Sequence, residues 1–261
     1  MEVIIRNDAQ AAVSLTARLI SESMHKKPST VLGLATGRTM EAVYAELVRL
    51  HQDENLDFSL AKTFNLDEYI GLPPENRNSY RYYMNYHLFK QVNIDIRNTH
   101  LPNGIAENID LECENYEKQI AECGGIDLQL LGIGRDGHIG FNEPLSALRS
   151  RTRSKSLTPV TFAQNSPLFD RPEDMPKRAI TMGVGTVLES KRVLMLVVGE
   201  EKSAILAKAV EGPVTSMISA TALQLHPRCT VIVDEAAASR LQEIDYYHWI
   251  FNNEPDWDAY R

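Results

Sequence analysis

Cysteine is scarce in this chain of 261 residues, and basic charge is in deficit. Cys113, Cys123 and Cys229 are odd in number and widely spaced, with no C-x-x-C pair, which argues against a disulfide framework and a cysteine zinc site. A reducing, cytoplasmic setting fits that usage. Lys and Arg number 27 against 35 Asp and Glu, a formal net charge of −8. A duplex-binding surface needs clustered cations to neutralise phosphates, so nucleic acid is not an expected partner, although a small, locally held anion is compatible with the balance. No apolar run approaches the roughly 18 residues of a membrane span. The opening "MEVIIRNDAQ" breaks its apolar stretch with Arg6, Asn7 and Asp8, unlike a secretory signal. Internal repeats and low-complexity linkers are also missing.

Alternation is what the sequence does have. Apolar, β-rich runs occur at Thr30–Ala35, Ala61–Leu66, Ile126–Ile133, Arg178–Val184, Arg192–Val198 and Cys229–Asp234. Between and around them lie segments of helical period: one capped by Asp8 and ending near Met24, then Met40–Leu50, Ser79–Phe89, Ile109–Glu122, Lys202–Val210 and Glu235–Gln242. Strand and helix in turn predict an α/β fold, an open, mainly parallel sheet with helices on both faces, in a single domain spanning 1–261. Arg149–Lys177 carries Pro159, Pro167, Pro172 and Pro176 and cannot be one continuous helix, so it is expected to form a lid.

Ligands of open parallel sheets bind beyond the carboxyl ends of the strands, which directs attention to the residues that follow each apolar run. After the first comes the turn Thr36-Gly37-Arg38-Thr39, where small residues and a helix N-terminus suit an anion, though a plain tight turn has the same composition. No Walker A spacing is present. After the second come Asp67 and Glu68, whose side chains must point to opposite faces of a strand; one carboxylate then enters the cleft as a candidate proton acceptor, unless it merely caps a helix. After the fifth run comes Lys202 at a helix start, a phosphate ligand or a solvated lysine.

The third run is followed by "LGIGRDGHIGFNEP", with Gly132-x-Gly134-x-x-Gly137 in dinucleotide spacing. That fingerprint requires a helix opening at its last glycine and an acidic residue about 20 positions on. Here Gly140 and Pro144 forbid the helix, and Arg149, Arg151, Arg153 and Lys155 make the later segment basic. The match is therefore a decoy, and the glycines are expected to let backbone pack beneath a polar pocket. His138, between Asp136 and Glu143, suits proton shuttling with its tautomer fixed by a carboxylate; a structural histidine and a metal ligand are the rivals, the latter lacking any H-E-x-x-H or cysteine partner. The basic row from Arg149 to Lys155 is expected on one side of an extended segment, facing solvent or a second anion.

Taken together, "GLATG", "NLDEY", "LGIGRDGHIGFNEP", "SRTR" and "LQLHP" resemble the glucosamine-6-phosphate deaminase family, in order and interval, from about Val3 to about Ala238. The resemblance implies a Rossmann-like fold and the cofactor-free, metal-free conversion of glucosamine 6-phosphate and water to fructose 6-phosphate and ammonia. It assigns Asp67 to proton transfer between C2 and C1, His138 to ring opening with Asp136 and Glu143 orienting it, and Lys202 with Thr36, Gly37, Arg38 and Thr39 to the phosphate. It also matches Ser146, Arg153 and Lys155 to positions that bind the activator N-acetylglucosamine 6-phosphate in hexameric members, which makes a homo-oligomer an expectation. Two departures stand out: Arg38 replaces a glycine of the phosphate turn, and Pro167 stands where a lid arginine is expected, so Arg38 or Arg171 is expected to supply that charge. The aromatic tail "YYHWIFNNEPDWDAYR" aligns poorly and is expected to bury its rings against the core or another subunit. A galactosamine 6-phosphate deaminase, a related lactonase and a sugar-phosphate sensor are the alternatives; the sensor lacks a helix-turn-helix here.

Overall fold

The computed structural model describes residues 1–261. Strands β1 (Glu2–Arg6), β2 (Val31–Leu34), β3 (Lys62–Asn65), β5 (Thr99–His100), β6 (Leu128–Leu131), β9 (Val193–Val197) and β10 (Cys229–Asp234) form a seven-stranded sheet of order β1-β10-β9-β6-β2-β3-β5, parallel at every pairing. The near-continuous burial of β2, β6, β9 and β10 is what a sheet covered on both faces requires, and their Val/Leu/Ile content supplies it. Helices α1 (Ala9–Lys26), α2 (Arg38–Glu54) and α4 (Ile109–Glu122) are among the crossovers. The Asp8 carboxylate accepts from the Ala11 N–H and Asn108 from Leu111 N–H, capping α1 and α4. From β2 the chain winds outward to β3 and β5, then returns to β6 on the other side of β2, so the strand order reverses between β2 and β6. A cleft opens beyond the strand ends at such a reversal.

A second sheet departs from expectation. At Leu66 the chain leaves the parallel sheet, and β4 (Asp67–Tyr69) pairs antiparallel with β8 (Arg178–Thr181), which pairs antiparallel with β7 (Arg153–Ser156). The run Arg178–Val184 is thus not a parallel strand, because its partners lie in the segment expected to be an irregular lid. That segment is also more regular than its prolines suggest: it holds β7 and the helix α5 (Pro159–Asn165), in which Pro159 occupies the first turn and Thr158 accepts from Thr161 N–H as the cap. Only Arg153 and Lys155 of the basic row share a face of β7; Arg151 is bound to Glu117 and Glu189 at 2.6 Å each before the strand begins.

Smaller differences have local causes. β1 was not anticipated, because three apolar residues bounded by charge give little pattern, yet pairing with β10 along its whole length fixes it. The Ser79–Phe89 helix divides into α3 (Tyr80–Met84) and a π turn over Asn85–Phe89. A short α6 (Val184–Leu188) follows β8, α7 covers Ser203–Val210 after a 3-10 turn at Glu200–Lys202, and α8 stops at Ala238 (Glu235–Ala238). No helix is long and apolar enough to cross a membrane.

The aromatic tail forms α9 (Ile244–Asn253) and a 3-10 turn, Pro255–Tyr260. Trp257 is buried between Phe251 and Tyr260, whereas Trp249 stands 58% exposed. Truncating a buried aromatic forfeits its transfer energy and leaves a cavity. Trp257→Ala is expected to lower unfolding stability by about 3–5 kcal/mol in a denaturant titration, and Trp249→Ala to change it by no more than about 0.5 kcal/mol.

Candidate active site

A cavity of about 360 Å³ lies at the reversal between β2 and β6. Its walls come from the turn after β2 (Thr36 to Met40), the exit of β3 (Leu66, Asp67), the loop after β6 (Gly132 to Phe141) and the start of α7 (Glu201, Lys202). Tyr80 of α3 and Gln164, Asn165 and Leu168 of the α5 region complete it.

Asp67 is only 5% exposed, and a strand's alternation sends its side chain toward the cavity and Glu68 the other way. Glu68 accepts from the backbone N–H groups of Tyr69, Tyr80 and Arg81 at 2.9–3.0 Å, closing the N-terminus of α3. Burial, reinforced by the neighbouring Glu68 carboxylate, pushes Asp67 up to about 8. Burial also pushes Glu68 up to about 7, against the pull of its three N–H donors and of Arg81. The two adjacent acids therefore divide: one caps a helix, and the other is a poorly solvated carboxyl held against an open cavity.

The loop after β6 is built around His138. Its ring lies over Gly134, where any Cβ would overlap the imidazole, and Gly134 N–H donates to the His138 carbonyl at 2.9 Å. The dinucleotide-like spacing thus reflects a place for a side chain, not for a pyrophosphate. His138 Nδ1 is 2.5 Å from Asp136 Oδ1 and 3.6 Å from Glu143 Oε2. Burial works to raise Asp136, but the hydrogen bond and charge of His138 outweigh it and hold the carboxyl below its usual range. Glu143, 1% exposed, accepts from Thr158 N–H and Thr158 hydroxyl at 3.1 Å each, so the cap of α5 fixes its orientation. Ligand atoms of Asp136, His138 and Glu143 lie within 4.8 Å of one another, close enough to contact one metal ion. The commitment of Glu143 to Thr158 and the 2.5 Å approach of Nδ1 to Asp136 fit an oriented imidazole whose Nε2 is left for proton exchange.

The loop is pinned on all sides. Ile139 N–H donates to Ser219 Oγ, Phe141 N–H to Thr181 Oγ1, and Asn142 Nδ2 to the carbonyls of Ile139 and Met182. Gly140 has φ +56°, and a Cβ there would sit 3.0 Å from Thr181 Oγ1 and 3.2 Å from Asp67 Oδ2. The second sheet and the β6 loop meet at this point, which brings Asp67 and His138 onto one cavity.

At the other end of the cavity, Gly37 (φ +114°) starts α2, whose first residues are Arg38 and Thr39. Tyr83 hydroxyl donates to the Gly37 carbonyl at 2.9 Å, holding the turn. Lys202 Nζ donates to the Ile133 carbonyl at 2.9 Å; burial holds its ammonium below the ordinary value, Glu201 opposes that, and Arg135 adds to it. Of the two arginines expected to replace a lid cation, Arg38 lines the cavity, while Arg171 is paired with Asp174 at 2.6 Å and is not on its wall. Sequence reasoning passed over Arg135, Tyr80 and Gln164, which also line it; Arg135, inside the most distinctive motif, had the clearest signal. Ser146 is buried with an unpartnered hydroxyl, Arg153 Nη1 donates to Asn142 Oδ1 at 3.0 Å, and Lys155 is in β7; none of the three lines the cavity.

Gly134→Ala pushes the imidazole off its seat; displacing a positioned group by about 1 Å costs on the order of 10²-fold, so turnover is expected to fall by that amount with the circular dichroism spectrum unchanged. The unfolded chain ionises Asp67 near 3.8, while the folded chain keeps the proton to about 8, so this residue costs stability progressively as pH rises between those values. Asp67→Asn removes that loss, and its melting temperature relative to the parent is expected to climb from pH 5 to pH 9, a gain on the order of a few kcal/mol at the upper end.

Known proteins share this architecture. Residues 6–232 match the family described as glucosamine-6-phosphate isomerases/6-phosphogluconolactonase. The glucosamine-6-phosphate deaminase of Cellvibrio japonicus (strain Ueda107) is 49% identical over 96% of this chain and 95% of its own, and that of Hahella chejuensis (strain KCTC 2396) is 47% identical over the same shares. A solved structure described as a monomeric glucosamine-6-phosphate deaminase superposes with a TM-score of 0.90 at 42% identity, covering 92% of this chain and 100% of that one. The 6-phosphogluconolactonase of Trypanosoma cruzi, 18% identical over 92% of this chain and 97% of its own with a TM-score of 0.72, shares the fold. The chain belongs to the glucosamine-6-phosphate isomerase/6-phosphogluconolactonase family.

Proposed function

We propose that this chain is a glucosamine-6-phosphate deaminase, converting glucosamine 6-phosphate and water to fructose 6-phosphate and ammonia. The observation that carries the reading is the opening of Asp67 and His138 onto one cavity large enough for a hexose phosphate. In the closed sugar the carbonyl is masked, so ring opening comes first. His138, its Nδ1 held by Asp136 and Glu143, takes the proton of the anomeric hydroxyl at Nε2 and delivers it to the ring oxygen. Asp67 as carboxylate then removes the C2 proton, giving an enolamine, and returns it to C1. The resulting C2 imine adds water and expels ammonia, leaving the ketone. Each positioned acid or base contributes about 10²- to 10⁴-fold, and a carboxyl raised toward 8 is a stronger base than an ordinary one once ionised.

The phosphate lies at the far end, on the Thr36-Gly37-Arg38-Thr39 turn and Lys202. Backbone N–H groups at the start of α2, its dipole and two side-chain cations all favour a dianion there. Its binding energy holds the open chain in a reactive pose although it is remote from C1 and C2. The lactonase reading draws support from the shared fold but leaves the buried Asp67 without a task, since lactone hydrolysis breaks no C2–H bond. We place the α5 region as the lid of a single catalytic domain; Gln164, Asn165 and Leu168 already face the substrate cavity.

Ammonia release from glucosamine 6-phosphate, compared with galactosamine 6-phosphate, tests the reaction and the epimer. Asp67→Asn is expected to lose at least about 10³-fold in turnover; retention of full activity overturns the C2 base and favours the lactonase. In the parent, kcat/KM is expected to rise with pH as Asp67 ionises toward about 8. Activation is tested in parallel: stimulation by N-acetylglucosamine 6-phosphate that vanishes in Arg153→Ala, with a hexameric mass in solution, supports an allosteric homo-oligomer at Ser146, Arg153 and Lys155. A flat response from a monomer assigns those residues to structure alone.

A further inference from the structure

The cavity is electrically lopsided. Every formal positive charge on its wall, Arg38, Arg135 and Lys202, is carried by the β2, β6 and β9 loops, while the α5 side offers only the neutral Gln164, Asn165 and Leu168. Neither Arg38 nor Arg135 takes part in any ion pair of the molecule. Arg135 is near enough to Lys202 to disfavour its charge, and Glu201 is the acid that opposes this. In a chain of net charge −8, two unpaired guanidinium groups and a half-buried ammonium gathered round one cavity are an arrangement that self-repulsion opposes unless an anion neutralises it. The turn that starts α2 adds the positive end of a seventeen-residue helix to the same corner.

We infer that Arg135 is a third phosphate-binding cation, acting with Arg38 and Lys202, so that the sheet loops alone hold the phosphate and the α5 segment closes over the sugar without contributing charge. The inference rests on the deaminase reading for the identity of the sugar but not for the anion. Pro167 is then tolerable because no cation is needed on the α5 side of the site. A guanidinium gives forked, two-point hydrogen bonding to a phosphate that an ammonium cannot reproduce, which makes Arg135→Lys an informative partial replacement. Arg135 is exposed, so its removal leaves the core untouched.

Calorimetric titration with inorganic phosphate, on the full chain, reads the cradle without turnover; ammonia release reads the reaction. Arg135→Ala is expected to weaken phosphate binding about tenfold and to raise KM for glucosamine 6-phosphate by a similar factor, with kcat within about threefold and partial recovery in Arg135→Lys. Asn165→Ala is expected to leave phosphate affinity within about twofold. Unchanged phosphate affinity in Arg135→Ala overturns the assignment of Arg135, and a loss in Asn165→Ala as large as that in Arg135→Ala overturns the division between loops and lid. A parent protein that binds phosphate through Arg135 yet releases no ammonia overturns the deaminase reading and leaves the cradle standing.

Discussion

Everything chemical in this molecule depends on a close approach between two sheets. At Gly140 the loop after β6 runs so close to the second sheet that a Cβ there would sit 3.0 Å from Thr181 Oγ1 and 3.2 Å from Asp67 Oδ2, and Thr181 fastens the loop by accepting from Phe141 N–H. The parallel sheet carries the imidazole and the antiparallel sheet carries the buried carboxyl. Neither sheet has both. A backbone that turns left-handed with no Cβ in the way lets the two surfaces share one cavity, and a larger residue there would wedge them apart.

The same loop solves a second problem, that of keeping a histidine in one orientation beside water. Gly134 gives the ring a floor, Asp136 takes one nitrogen at 2.5 Å, Glu143 stands 3.6 Å from the same nitrogen, and Thr158 fixes Glu143 from the start of α5. The imidazole is thus linked, through Glu143, to Thr158 at the start of α5. At its other end α5 is tied to the acid-bearing strand, where Asn165 Nδ2 donates to Tyr69 hydroxyl at 3.2 Å, two residues from Asp67. One short helix touches the supports of both His138 and Asp67.

Asp67 and Glu68 show how position sorts two chemically similar side chains. Both leave water on folding. Glu68 recovers three N–H donors at the mouth of α3, while Asp67 gains a carboxylate neighbour and an open cavity. The raised pKa of Asp67 comes from what it was not given.

The alternation of apolar and helical periods predicted five of the seven parallel strands, β2, β3, β6, β9 and β10, because strands buried on both faces must be apolar throughout and crossover helices must show one apolar stripe; the three apolar residues of β1 and the two-residue β5 are too short a run to leave such a pattern. Chemically loaded strand ends, Thr36 to Thr39, Asp67, His138 and Lys202, were legible for the same reason: backbone direction alone puts them on one rim. Sequence could not decide pairing. That Arg178–Thr181 would turn antiparallel, that Arg153–Ser156 would become a strand beside it, and that Arg171 would fold back on Asp174 away from the cavity depend on contacts between residues far apart in the chain. Local pattern records how much of a residue is hidden, not which neighbour hides it; only the folded chain put Arg135 on the cavity wall and set the His138 ring on Gly134.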